Sequence, residues 1–119
     1  MLDWGPLELE AVDTLGDRIE IEYAVIDAEG NNVISDPDLQ HAAVVRKPGS
    51  LESLLNLTTD NGRIEVNMGT GKVKLIILAE DQQGWEPGLY IVEHRVTKPD
   101  GSISQVVARL YLRLEASGV

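Results

Sequence analysis

Residues 18–25 read Arg18-Ile19-Glu20-Ile21-Glu22-Tyr23-Ala24-Val25. Apolar side chains fall on every second position, at Ile19, Ile21, Tyr23 and Val25, with Glu20 and Glu22 between them. Side chains alternate across a strand, so this spacing buries one face and wets the other, as in an antiparallel sheet. A helix needs apolar spacings of three and four, which the stretch lacks.

The same period runs outward in both directions. Upstream, Leu7-Glu8-Leu9-Glu10-Ala11 alternates. Downstream, Ala28-Glu29-Gly30-Asn31-Asn32 reads as a turn, followed by a weak strand at Asn32–Ile34 and a polar stretch, Ser35–Gln40. Ala42-Ala43-Val44-Val45-Arg46 is a further strand, ended at Pro48, which has no N–H to donate to a ladder. The Leu51, Leu54 and Leu55 spacing fits one helical turn capped by Ser50, or a loop, leading into a short strand at Leu55–Thr58. Asp60-Asn61-Gly62 is a hairpin signal, because Asn and Gly tolerate positive φ.

Strands at Arg63–Met68 and Lys72–Leu78 flank Gly69-Thr70-Gly71. Val73, Leu75 and Ile77 are expected inside. A longer loop, Glu80–Pro87, carries Trp85. Two long strands, Leu89–Thr97 and Ile103–Glu115, are joined by Lys98-Pro99-Asp100-Gly101-Ser102, a type I turn with a following positive-φ glycine. Parity puts Val106, Ala108, Leu110, Leu112 and Leu114 on one face of the last strand and Arg109, Tyr111 and Arg113 on the other. Seven or eight short strands with regular turn signals indicate a β-sandwich or a small barrel. The uneven strand lengths favour the sandwich.

Composition agrees with one domain over residues 1–119. The chain is 43% hydrophobic but has no Phe, so Val, Ile and Leu must supply the core. A domain of this size folds without a disulfide or metal. The absence of Cys excludes a disulfide scaffold, thiolate catalysis and Cys-based zinc sites. No apolar run reaches the ~18 residues of a membrane span, and the N-terminus does not read as a signal peptide. The net charge is −10. Residues 1–60 hold 13 acids and 3 bases, whereas residues 61–119 hold 7 of each. Phosphate backbones would repel such a chain, so nucleic acid is not an expected partner. The acidity serves solubility, or forms a face for a basic partner.

Catalytic patterns are missing: no G-x-S-x-G, P-loop or G-x-G-x-x-G occurs. Gly69-Thr70-Gly71 joins two strands and reads as a hairpin turn. His94 lies mid-strand on the parity of Tyr90, Val92 and Val96 and is expected in the core. His41 follows a polar loop and is expected to be exposed. Two isolated histidines do not make a zinc site. Asp27, Glu29, Asp36 and Asp38 lack the spacing of a calcium loop. The expectation is therefore no enzyme activity, no cofactor and no metal. Partner-contact candidates are the apolar tip Leu2, Trp4 and Pro6, and Trp85, since Trp is enriched at interface hot spots. Each has a plain alternative: the tip tucks onto the sandwich end, and Trp85 caps the core.

An ordered series of turns and strands carries one resemblance. Gly16-Asp17 precedes Arg18–Asp27 and Glu29-Gly30, and Asn61-Gly62-Arg63-Ile64-Glu65-Val66 precedes Thr70-Gly71-Lys72-Val73. Pro87-Gly88-Leu89-Tyr90 and Asp100-Gly101 complete the series. It resembles the small Ig-like domains of tailed-phage virion proteins, such as the N-terminal domain of upper baseplate proteins. The resemblance implies an Ig-like antiparallel β-sandwich of seven to eight strands. It further implies a structural role in tail, baseplate, neck or capsid decoration. Such a protein assembles in the host cytoplasm as symmetric copies among other virion proteins. A carbohydrate- or receptor-binding sandwich is the alternative. Under either reading Tyr90 is a stability residue, bonded back across the corner that Pro87-Gly88 makes.

Overall fold

The computed structural model describes residues 7–25, 38–67, 69–102 and 104–116. The Leu2, Trp4 and Pro6 tip, the turn at 28–32, the weak strand at 32–34 and Asp27, Glu29 and Asp36 lie outside the described residues. The described residues form eight strands: β1 (Leu7–Thr14), β2 (Ile19–Ala24), β3 (Gln40–Arg46), β4 (Leu55–Thr58), β5 (Ile64–Asn67), β6 (Lys72–Ile77), β7 (Gly88–Thr97) and β8 (Ser104–Glu115). One 3-10 turn, η1 (Ala79–Gln82), precedes β7.

Two sheets result, not a closed barrel. The larger has the order β1-β8-β7-β3-β4 and the smaller β2-β6-β5. This is the Ig-like β-sandwich, with the second, sixth and fifth strands facing the third, seventh and eighth. β4 extends the larger sheet as in variable-type domains. The pairing is antiparallel except that β1 runs parallel to β8, with Leu7 opposite Ala108 and Thr14 opposite Glu115.

The core is aliphatic and lies between the sheets. Ile19, Val45, Leu57, Val73, Val107 and Leu112 have no exposed surface. Val73, Leu75 and Ile77 point inward, as their spacing requires. The β8 parity holds only from Ala108 onward. A β-bulge sets Arg95 opposite Val106 and His94 opposite Ala108, leaving Val107 as the extra residue. Val107 and Ala108 are both buried, and Val106 moves to the outer face.

Three local devices fix the ends of the sandwich. At the β6–β7 corner, Tyr90 Oη donates to Glu86 O (2.6 Å) and accepts from Glu86 N (3.1 Å). This is the tyrosine corner of Ig-like folds. Gly88 has φ 145° there, a conformation that side-chain-bearing residues avoid. Nearby, Asp81 accepts from Leu78 N (2.8 Å) and from Arg63 Nε (2.8 Å) and Nη2 (3.0 Å). Buried Gln82 accepts from Gly16 N (2.7 Å) and donates to Asp17 O (2.7 Å), tying the β1–β2 turn to η1.

The segment before β4 takes the loop alternative rather than the helical turn, and Leu51 within it is 96% exposed. One turn departs from expectation. Asp60-Asn61-Gly62 is a turn but not a hairpin. It carries the chain from β4 in one sheet to β5 in the other. Asn61 Oδ1 accepts from Thr58 N and Arg63 N, both at 3.0 Å, and Gly62 supplies φ 77°. Asn67 and Gly71 make the true β5–β6 hairpin around Gly69-Thr70.

Candidate functional site: the outer face of the larger sheet

The two histidines do not form a surface site. His94 on β7 is fully buried, and His41 on β3 is buried too, which corrects the expectation of exposure. The reason is parity: His41 shares the inward phase of Ala43 and Val45. Tyr23 Oη lies 2.7 Å from His94 Nδ1, and His94 Nε2 lies 2.9 Å from His41 Nδ1. The chain Tyr23–His94–His41 thus crosses the core from β2 to β7 and β3. Burial pushes the Tyr23 phenol up, so it keeps its proton and donates to His94 Nδ1. His94 then donates Nε2–H to His41 Nδ1, which fixes both tautomers. Burial, reinforced by the neighbouring His41, pushes His94 down to about 3, and burial also lowers His41. Both imidazoles are neutral. The Tyr23–His94 bond joins the two strands that a disulfide joins in antibody domains.

Trp85 also turns inward. Its ring stacks on Tyr90, with centroids 5.0 Å apart and planes at 21°, and it packs against the core. Among the described residues, no group of three His, Asp or Glu side chains converges as metal ligands would.

The side chains that remain available sit on the two outer faces. On the smaller sheet the face is charged and internally paired. Glu20 meets Arg18 (2.7 Å) and Lys74 (3.4 Å), and Glu22 meets Lys72 (4.0 Å). Such exposed pairs contribute little to stability and leave a solvated surface.

The outer face of the larger sheet is different. A row of charges crosses four strands: Glu8 on β1, Arg109 on β8, Glu93 on β7 and Arg46 on β3. Arg46 donates to Glu93 Oε1 through Nε (3.0 Å) and Nη2. Arg109 donates to Glu93 Oε2 through Nε (3.2 Å) and Nη2 (3.0 Å). Its Nη1 lies 3.8 Å from Glu8. Hydrogen bonds from Arg46, against partial burial and with help from Arg109, hold the Glu93 carboxyl below its ordinary range.

Aliphatic groups flank the row. Val12 on β1 is 64% exposed, and Leu51 stands beside β3. Val44, Leu89, Ile91, Val106 and Tyr111 are half-buried between them. A groove of about 310 Å³ is lined by Ala42, Val44, Leu51, Glu93, Arg95 and Val106. A second, also about 310 Å³, continues past Ala42 and Arg95 to Thr58, Asp60 and Thr97. The two share Ala42 and Arg95 in their linings. Across the sheet, Glu10, Val12, Leu89, Tyr111 and Arg113 line a third of about 280 Å³. The face combines apolar patches, aligned charges and shallow relief, which are the ingredients of a protein-docking surface. In the sequence its signal was the outward phase of β3, β7 and β8, hidden at Val106 by the bulge.

No protein-family model and no curated protein matches the sequence. Among solved structures, the chain is similar to the NK cell receptor Nkp44, described as a triggering partner in natural cytotoxicity. The two share 16% identity over 94% of this chain and 100% of that one, with a TM-score of 0.44. It is also similar to murine CRIg, with 16% identity over 89% of this chain and 92% of that one, and a TM-score of 0.45.

Proposed function

We propose that this chain is a non-enzymatic structural component of a tailed-phage virion, holding neighbouring subunits of a symmetric assembly through the outer face of its larger sheet. The observation that carries the docking part is the make-up of that face. Its strands carry four arginines (Arg46, Arg95, Arg109, Arg113) against four glutamates (Glu8, Glu10, Glu93, Glu115), so with Asp60 at the groove's edge the face is nearly neutral on a chain of net charge −10. A nearly neutral face with exposed Val12 and Leu51 can approach another protein with less of the repulsion that the rest of the surface would cause. Its size also suits the role. Five strands about 4.8 Å apart and roughly 25 Å long present several hundred Å², of the order of the ~800 Å² per partner in a stable interface.

The virion part rests on the resemblance, whose turn-and-strand series runs from Gly16-Asp17 to Asp100-Gly101. Sugar binding is less favoured. A glycan platform needs exposed aromatics, and among the described residues Tyr111 is the aromatic ring that this face offers, with Trp85 stacked on Tyr90.

The test is cryo-EM of particles assembled with this chain, beside particles assembled with the Val12→Asp/Leu51→Asp variant. The expected result is domain density whose larger sheet abuts a neighbouring subunit, and loss of the variant from the particle although it stays folded. Absence of the wild-type chain from particles, or its attachment by the smaller sheet, contradicts the proposal.

A further inference from the structure

The charge row on the larger sheet is self-complementary. Read across the strands it runs negative, positive, negative, positive: Glu8, Arg109, Glu93, Arg46. Consider a two-fold axis lying along the strands between β8 and β7, in the plane of contact. It reverses the row, so each charge of one chain faces its opposite on the other. Glu8 faces Arg46, and Arg109 faces Glu93. Apart from the row, exposed Val12 lies further along β1, level with Arg113, and Leu51 lines the groove beside Val44 and Arg46.

Resting on the docking face proposed above, we propose that the occupant of this face is a second copy of the chain, paired face to face about that two-fold axis. Three observations select a copy over an unrelated protein. The row matches its own reverse, as an isologous interface requires. The four arginines and four glutamates cancel, so two chains of charge −10 meet where the face is nearly neutral and repels less than the rest of the surface. A strongly basic partner would instead be drawn to the acidic remainder of the surface.

The internal pairing of the row favours this geometry. Glu93 is already held by Arg46 and Arg109. The charges are therefore ordered before association, and less side-chain freedom is lost on docking. Each guanidinium keeps N–H groups beyond those it gives to Glu93, since arginine has five.

Charge reversal at the two ends of the row tests the pairing. The Glu8→Arg variant sets a new guanidinium against Arg46 of its copy, and the Arg46→Glu variant sets a new carboxylate against Glu8. A mixture of the two variants restores opposite charges at both ends. Sedimentation equilibrium of the full chain is expected to show a wild-type dimer. Each variant alone should dimerise about tenfold or more weakly, and an equimolar mixture should recover a heterodimer. Among the described residues, the Glu8 side chain makes only a long contact, to Arg109 at 3.8 Å, so Glu8→Arg should leave the fold intact, and circular dichroism checks both variants. If Arg46→Glu unfolds, Arg46→Gln mixed with Glu8→Gln serves instead, with weakening in each variant and partial recovery on mixing as the expected result, since the mixed dimer regains one of the two end pairs.

A dimer indifferent to both reversals, or a mixture that stays monomeric, overturns the self-pairing. A wild-type chain that is monomeric in solution, but sits in a particle with this face against a different protein, overturns the self-pairing and leaves the docking face standing. A chain monomeric in solution and absent from particles overturns both.

Discussion

At the scale of single residues, the informative groups are those whose burial and partners disagree with their chemistry. Tyr90 was legible in the sequence, because Pro87-Gly88 forces a corner and a phenol just inside the next strand can reach back to Glu86. His94 was legible from parity. His41 was not, because a polar loop precedes it and its partner lies 53 residues away. The phase of Ala43 and Val45 held the missed signal. The buried pair has a consequence for pH. Above about 6.5, an imidazole is neutral whether the chain is folded or not, and stability does not depend on it. Below that, the unfolded chain binds protons that the core refuses, so stability falls as pH falls, for His94 down to about 3. Glu93 and Asp81, both held below the ordinary carboxylate range by arginine, add their loss only below about 4.5. The interval from about 6.5 to about 4.5 therefore belongs to the histidines. There, urea unfolding should show a loss of up to about 1.4 kcal/mol per pH unit for each imidazole. A flat profile across that interval would mean that the ring pair is charged or open to water.

Strands were read from the chain better than their assignment to sheets. Period-two spacing located β2, β6, β7 and β8, and even the short β4 at Leu55–Thr58. Local signals could not say which sheet a strand joins. Asn61-Gly62 has the chemistry of a hairpin, yet β4 and β5 lie in different sheets, and that choice is made by core packing rather than by the turn. The parallel β1–β8 pair is likewise a contact between distant segments that no local pattern reveals. The bulge at Val107 shifts phase within β8, so Val106 reads as core and lies outside. The turn between the sheets still depends on its glycine. Gly62 has φ 77°, and nothing stands within 4 Å of the place a Cβ would take, so only backbone strain opposes substitution. Gly62→Ala should cost about 1 kcal/mol in thermal or urea unfolding, with the strand content by circular dichroism unchanged. A neutral or stabilising effect would show that this turn relaxes to a different conformation.

For the whole molecule, sequence and structure each supply part of the account. The composition foretold an aliphatic core, and the turn series foretold an Ig-like sandwich, which the strand order bears out. The candidate surface was not legible. Of the four residues singled out as partner contacts, Trp85 packs on Tyr90, while Leu2, Trp4 and Pro6 lie outside the described residues. The face now proposed is assembled from five strands spread over residues 7–115, and only the fold brings Glu8, Arg109, Glu93 and Arg46 into one row. Its near-neutrality, against a chain of −10, is a property of the assembled sheet rather than of any segment. The central claim is that this face is covered by protein in the working state. Methyl NMR of the associated chain with a soluble paramagnetic probe measures this directly, because it reads side chains rather than backbone. The methyls of Val12, Val44, Leu51 and Ile91 should be shielded from the probe in the assembly, while the exposed Ala24 on the smaller sheet stays accessible. Equal accessibility of both faces in the assembled state would contradict the account.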